Sequence, residues 1–200
     1  KVKKYDLALI YSEAPCAAAG VFTTNKVKAS CVVINQTHLK DGKAQAIIAN
    51  SGNANCMTGK QGFADSRAMA AGAAKKLGLK SSDICVASTG VIGHPLPVRL
   101  IEKAIPKLAE GLSKSGSKSA ARGIMTTDTI MKEVAVEIAI AGTRVRIGAI
   151  AKGAGMIHPQ MALQRNATML CFVTTDASIA PRALRIALDN ATQKSFNMIT

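Results

Sequence analysis

Short apolar runs interrupted by glycine, proline and asparagine mark the first fifty residues. Asp6–Ser12, Ala18–Thr23, Ser30–Gln36 and Ala44–Asn50 read as strands that pair in one sheet, separated by Pro15, Gly20, the Asn25-Lys26 turn and Asp41-Gly42. The period then changes. Gln61–Leu77 places Phe63, Met69, Ala70, Ala73, Ala74 and Leu77 at near-helical spacing and stops at Gly78, which predicts a helix whose alanines allow close approach to the sheet. Ile84–Ser88 reads as another strand. Pro97–Leu112 reads as a second amphipathic helix, kinked near Ala104 by Pro106. Ser113–Ser119 is rich in serine, lysine and glycine and reads as a surface connection. Glu133–Ile140 and Thr143–Ile150 alternate about Ala141-Gly142 as a hairpin, with Glu133 and Glu137 on one face and Arg144 and Arg146 placed for cross-strand pairing. Leu170–Thr175 adds a strand, and Pro181 opens a last helix with Leu184, Ala187, Leu188 and Ala191 in period. The layout is α/β, with helices covering sheet faces.

Composition narrows the class. A chain of 200 residues, 48% hydrophobic and 19% charged, buries a core as one domain or at most two, and with 3% aromatics its packing rests on aliphatic side chains. No apolar run approaches the roughly 20 residues that span a bilayer, and no signal-type segment follows Lys1, so the expectation is a soluble cytoplasmic protein that makes no membrane contact. Five cysteines, Cys16, Cys31, Cys56, Cys85 and Cys171, lack Cys-x-x-Cys spacing and read as buried free thiols. A net charge of +14 raises nucleic-acid binding, but the basic residues are scattered and lack interleaved aromatics; a solvated lysine-rich surface, or a field drawing in small acidic substrates, fits better. His38, His94 and His158 show no metal-ligand spacing.

Candidate chemistry concentrates late in the chain. In the run from Lys152 to Ala177, Thr168 follows Ala167 at the entrance to an apolar strand. Cleavage of that Ala-Thr bond puts a hydroxyl and a free amine on one residue, and an α-amine of pKa about 8 can take the hydroxyl proton without histidine. Ser88-Thr-Gly-Val-Ile-Gly-His-Pro95 is either a structural turn or one that aims the Thr89 hydroxyl and the Gly90 amide at a developing oxyanion. Thr126-Thr127-Asp128-Thr129 is a cap-and-turn cluster or a hydroxyl-lined pocket. Lys152 fixes a substrate carboxylate or merely ends a strand. Asn50-Ser-Gly-Asn-Ala-Asn-Cys56 is a turn-forming loop without the Gly-Lys-Ser/Thr of a phosphate loop.

Six segments in register, Ala19-Gly-Val-Phe-Thr-Thr-Asn25, Ala49-Asn-Ser-Gly-Asn-Ala-Asn55, Ala87-Ser-Thr-Gly-Val-Ile-Gly93, Ile124-Met-Thr-Thr-Asp-Thr129, Lys152-Gly-Ala-Gly-Met-Ile-His-Pro159 and Ala167-Thr-Met-Leu170, together resemble the ornithine acetyltransferase (bifunctional glutamate N-acetyltransferase) family of arginine biosynthesis. The resemblance implies an α/β/β/α sandwich similar to N-terminal-nucleophile hydrolases. It implies one acetyltransferase domain over residues 1–200, self-cleaved between Ala167 and Thr168 into a chain 1–167 and a second chain starting at 168. The two chains stay together as a heteromer that assembles further. By the same resemblance Thr168 is the nucleophile, Thr89 and Gly90 form the oxyanion hole, and Thr126, Lys152 and Thr168 contact substrate. Acetyl passes from N-acetylornithine to the threonine and then to glutamate, without a metal or retained cofactor, and some members also use acetyl-CoA. The nearest alternative is an N-terminal-nucleophile amidohydrolase or aminopeptidase that passes its acyl group to water; a non-catalytic basic nucleic-acid-binding domain is more distant. The family runs Pro-Asn-Met-Ala-Thr-Met-Leu, whereas Leu163–Ala167 stands here between Ala162 and Thr168, an insertion that either forms a harmless tail on the departing side of the bond or misplaces the carbonyl that Thr168 attacks in the precursor. The family also continues for a comparable length beyond the position of Thr200, so a fragment with an exposed apolar edge is expected.

Overall fold

Eleven-residue strands β1 (Leu7–Ala17) and β2 (Lys43–Asn53) pair antiparallel, and β3 (Ile84–Val91) adds parallel to β2, giving the order β1-β2-β3. The structure, a computed structural model, describes residues 5–153 and 169–198. Because successive side chains of a strand point to opposite faces, this sheet is buried on both. Leu9, Ala46, Ile48, Ile84 and Val86 face three helices, α1 (Ser30–His38), α2 (Gly59–Leu77) and α3 (Val98–Glu110), whose Cys31, Met69, Ala70, Ala73, Ile101 and Ile105 complete that core. Ala8, Ala49 and Ala87 face the other way, against α4 (Ser117–Ile124) and the second sheet. The second sheet is antiparallel throughout, in the order β4 (Lys132–Ile140), β5 (Thr143–Lys152), β6 (Leu170–Thr175). Phe196, beyond α5 (Pro181–Gln193), lies on its far side with Val134, Ala149, Ala151 and Cys171. Among the described residues no helix is long and apolar enough to cross a membrane.

The small residues explain the close layers. An added Cβ at Gly72 of α2 would sit 2.8 Å from Ile105 Cδ1 of α3, and one at Gly123 of α4 would sit 2.8 Å from the Leu7 carbonyl oxygen of β1. Gly78 ends α2 in the left-handed region (φ 71°), as its position in the sequence predicts. The hairpin also matches expectation: Glu137 pairs in register with Arg146, whose Nε lies 3.1 Å from Glu137 Oε2, and Arg144 reaches the same carboxylate at 3.5 Å.

Three expectations need correction. Ser30–Gln36 is not a strand: it lies within helix α1. Its β-branched run favours a strand locally, but tertiary contacts override that preference. Asn35 on α1 uses its side-chain amide as a surrogate strand, donating from Nδ2 to the Val86 carbonyl and accepting from the Val86 amide, both at 2.8 Å, while His38 Nδ1 lies 2.8 Å from the Ile84 carbonyl. The helix thereby covers the open edge of β3. Ala18–Thr23 forms no strand either. The chain folds back there, with Ala18 N donating to Gly42 O and Gly20 packed so closely that a Cβ would meet Phe22 and Leu39 within 3 Å. The first sheet therefore holds two of the four expected early strands, and β3 supplies its third. Finally, Ser117 begins helix α4 instead of continuing a connection, because Ala121 and Ile124 find a buried place between the two sheets. Helix α3 runs on through Pro106.

Candidate active site

The C-terminal ends of β2, β3 and β5 meet on the inner side of the first sheet. Thr89 follows Ala87 by two positions on β3 and so shares its inward face; Lys152 follows Ile150 by two on β5 and does the same. The two strands thus aim Thr89 and Lys152 at each other across the layer. Lys152 Nζ lies 3.0 Å from Thr89 Oγ1 and 2.7 Å from Thr126 Oγ1. Thr89 is 1% exposed and Lys152 5% exposed, so this is an enclosed contact. An ammonium only donates hydrogen bonds. Both threonine oxygens must accept here, and each hydroxyl proton has to point elsewhere. In Thr89 that turns the hydroxyl into a donor polarised by a neighbouring positive charge, which is what a developing oxyanion requires.

Gly90 next to it has φ 137°, and an added Cβ would fall 2.2 Å from Gly52 C and 2.5 Å from Asn53 N. Only glycine fits so close a backbone approach. The opposing loop is rigidly tied: Asn53 Nδ2 donates to the His94 and Pro95 carbonyls, Asn53 Oδ1 accepts from the Asn55 amide, and buried Asn55 Nδ2 donates to Ser30 Oγ, Ser66 Oγ and Gly62 O. The asparagine-rich segment is therefore a scaffold behind Gly90. Ser51, paired in register with Thr89, has a buried hydroxyl without a hydrogen-bond partner among the described residues, as do Ser88 Oγ and Asn50 Oδ1.

Asp128, in the sequence a member of a cap-and-turn cluster or a hydroxyl-lined pocket, takes a more central place here. Its side chain is 1% exposed, and its Oδ1 accepts from the Gly153 amide at 2.8 Å and from Lys132 Nζ at 2.7 Å, while Oδ2 accepts from the Thr126 amide at 3.3 Å. Burial pushes this carboxyl upward, but the Lys132 hydrogen bond, the Gly153 and Thr126 amides and the Lys132 charge outweigh it and hold the pKa down at about 2. Gly153, with φ 145°, packs against Met169: an added Cβ would lie 3.6 Å from Met169 Cα.

The structure thus brings together Thr89, Gly90, Thr126 and Lys152. Ala167 and Thr168 lie outside the described residues, as do His158 and the Leu163–Ala167 insertion. Of the other histidines, His38 serves the β3 edge, and His94 enters the scaffold through its carbonyl. The cysteines are all free, but only Cys31 and Cys85 are fully buried; burial pushes both thiols up to about 11, which keeps them protonated and unreactive. Among the described residues no group of three or more His, Cys, Asp or Glu side chains is placed to hold a metal.

Comparison with known proteins identifies the family and the fold. The chain is 53% identical over 197 residues to the arginine biosynthesis bifunctional protein ArgJ of Symbiobacterium thermophilum, covering 98% of this chain and 48% of that protein. It is 48% identical to the protein of the same name from Caldanaerobacter subterraneus, covering 100% of this chain and 48% of that one. It therefore spans about half the length of the curated relatives it matches. Among solved structures, ArgJ from Bacillus halodurans superposes with a TM-score of 0.73 at 39% identity, over 81% of this chain and 85% of the crystallised one. Ornithine acetyltransferase from Mycobacterium tuberculosis, crystallised with ornithine, gives 0.71 at 40% identity, over 78% and 84%. The shared fold is the α/β sandwich of the N-terminal-nucleophile hydrolase type that the motifs implied. The ArgJ family model matches residues 1–200, and the chain belongs to the ArgJ family.

Proposed function

We propose that residues 1–200 form the acetyltransferase domain of a self-cleaving threonine-nucleophile enzyme, with a first chain ending at Ala167 and a second beginning at Thr168. The observation that carries this reading is the Lys152 bridge: its ammonium joins Thr89 and Thr126, and the next residue, Gly153, packs on Met169, the residue bonded to Thr168. The relatives' lengths support it as well. Curated ArgJ proteins are about twice as long as this chain, whereas the crystallised chains that match it are nearly its own length, as a divided precursor would give.

In the proposed cycle the Thr168 hydroxyl gives its proton to the α-amine and attacks the acetyl carbonyl of N-acetylornithine. Thr89 Oγ1 and the Gly90 amide receive the developing oxyanion, and Lys152 and Thr126 hold the amino-acid portion of the substrate. The amide C–N bond breaks, the proton passes to the departing amine, and ornithine leaves an acetyl-threonine ester. The amine of glutamate attacks that ester, giving N-acetylglutamate and restoring Thr168. Acetyl-CoA is a second candidate donor, since its thioester meets the same nucleophile and leaves as a thiol. The two chains remain one heteromer because β6, which follows the junction, pairs with β5, which precedes it, from Lys152↔Leu170 to Ile147↔Thr175. The relatives' names support a role in arginine biosynthesis, and the reading assigns the enzyme to the cytoplasm.

Denaturing mass spectrometry of the native polypeptide tests the cleavage: two chains are expected, the second starting at residue 168, and Thr168→Ala should give one uncleaved chain. Incubation with N-acetylornithine, with and without glutamate, tests the transfer. Acetylglutamate is expected; acetate alone would assign a hydrolase instead.

A further inference from the structure

We propose that Asp128 is a positioning residue for the threonine site: its carboxylate fixes Thr126, Lys152 and the Gly153–Met169 contact in a single frame. The inference rests on the acetyltransferase reading above. Its basis is a closed ring of hydrogen bonds. From Asp128 Oδ2 to the Thr126 amide, through Thr126 to its Oγ1, on to Lys152 Nζ, along Lys152 to the Gly153 amide and back to Asp128 Oδ1, every link is present. The ring joins the turn before β4 to the end of β5, which are 25 residues apart in sequence. It closes where Gly153 meets Met169.

The chemistry of the side chain matters. Three donors converge on Asp128, namely two backbone amides and the Lys132 ammonium, and a carboxylate is acceptor-only on both oxygens. An asparagine of the same size would turn its NH2 toward one of those donors and open the ring. Lys132 stands apart from the ring: its side chain is 45% exposed, and it compensates the buried charge from the solvent side. Removing Lys132 should therefore weaken the fold without moving Thr126 or Gly153. Releasing Gly153 would shift the neighbouring junction, and a misplacement of about 1 Å costs on the order of 100-fold in rate.

The test uses the native polypeptide. With wild type, Asp128→Asn and Lys132→Met, one measures self-cleavage, kcat and KM, together with amide exchange at Gly153 in a Thr168→Ala precursor. Slow Gly153 exchange in the precursor is expected, together with at least tenfold losses of self-cleavage rate and kcat in Asp128→Asn. In Lys132→Met both rates should remain within threefold of wild type. Fast Gly153 exchange in the precursor without other substitutions overturns the proposal, as does an Asp128→Asn enzyme within threefold of wild type. Losses in Lys132→Met as large as those in Asp128→Asn also overturn it, because they would reduce Asp128 to a charge partner. Failure of the acetyltransferase reading is separately visible as wild type that does not self-cleave or transfer, whereas Gly153 exchange reports on the ring in either case.

Discussion

Gly90→Ala tests whether the proposed oxyanion turn is built as tightly as its geometry demands. The added methyl would lie 2.2 Å from Gly52 C, 2.5 Å from Asn53 N and 2.5 Å from Gly52 O, all backbone atoms that cannot rotate away. Ordinary contact is about 3.5 to 4.0 Å, so one strand must move by more than 1 Å. Neighbouring ties resist that movement: Ala54 N donates to Val91 O at 2.9 Å, and Asn53 is held by the His94 and Pro95 carbonyls. The positive φ of 137° adds strain that only glycine escapes, on the order of 1–3 kcal/mol. With overpacking of similar size, about 1–3 kcal/mol, the expected destabilisation is roughly 2–6 kcal/mol. A 1 Å shift of the Gly90 amide also predicts a fall in kcat of on the order of 100-fold. Urea denaturation, read with Thr168→Ala in the background to hold the covalent state constant, measures the first quantity; single-turnover acetyl transfer measures the second. A Gly90→Ala protein within 1 kcal/mol of its parent and within threefold of wild-type turnover would refute the reasoning.

Two further predictions concern acid stability and the junction. Since the folded Asp128 pKa is lowered from 3.8 to about 2, its contribution, about 2 kcal/mol, is fully present above about pH 4 and disappears as pH falls through about 2; Asp128→Asn should flatten that part of a pH series of urea midpoints, and an unchanged slope would contradict it. Deleting Leu163–Ala167 joins Ala162 to Thr168 without the five inserted residues, and time-resolved mass spectrometry of the precursor should show faster self-cleavage; cleavage at an equal or slower rate would mean that the insertion does not hinder the attacked carbonyl.

What could be read from the chain divides along the range of the interactions that decide each element. Helix α2, the β4–β5 hairpin, β6 and the start of α5 are set by local period, a glycine stop or a proline start, and the sequence places them to within a few residues. Helix α1 is decided from outside. Cys31-Val-Val-Ile34 carries strand propensity, but Asn35 and His38 bond to β3 some fifty residues away, and no local window contains that information. The site divides in the same way. Thr89, Gly90, Thr126 and Lys152 could be nominated from motif resemblance, while the meeting of Thr89 and Thr126 at the Lys152 ammonium depends on which strand faces point inward across two sheets. Asp128 was present in the Thr-Thr-Asp-Thr motif, yet a carboxylate in a turn cannot be told from one that accepts a distant amide until Gly153 has been placed beside it.

The arrangement of the second sheet connects the proposed cleavage to the proposed function. Strands β5 and β6 flank the junction and pair from Ile147↔Thr175 to Lys152↔Leu170, so both sides of the proposed scissile bond are anchored before it breaks. Severing residues 167 and 168 would release an amine without releasing either strand. Among the described residues β4 pairs with β5 alone, and Val134, Val136, Ile138 and Ile140, which alternate onto one of its faces, are exposed. Thr89 and Lys152 are nonetheless buried, at 1% and 5% exposure, with β5 and β6 paired at Lys152↔Leu170 beside them. The Lys152 bridge to Thr89 and Thr126 and the close approach of Gly90 to Gly52 and Asn53 order the proposed oxyanion turn, so surfaces elsewhere can complete substrate selection without rebuilding it.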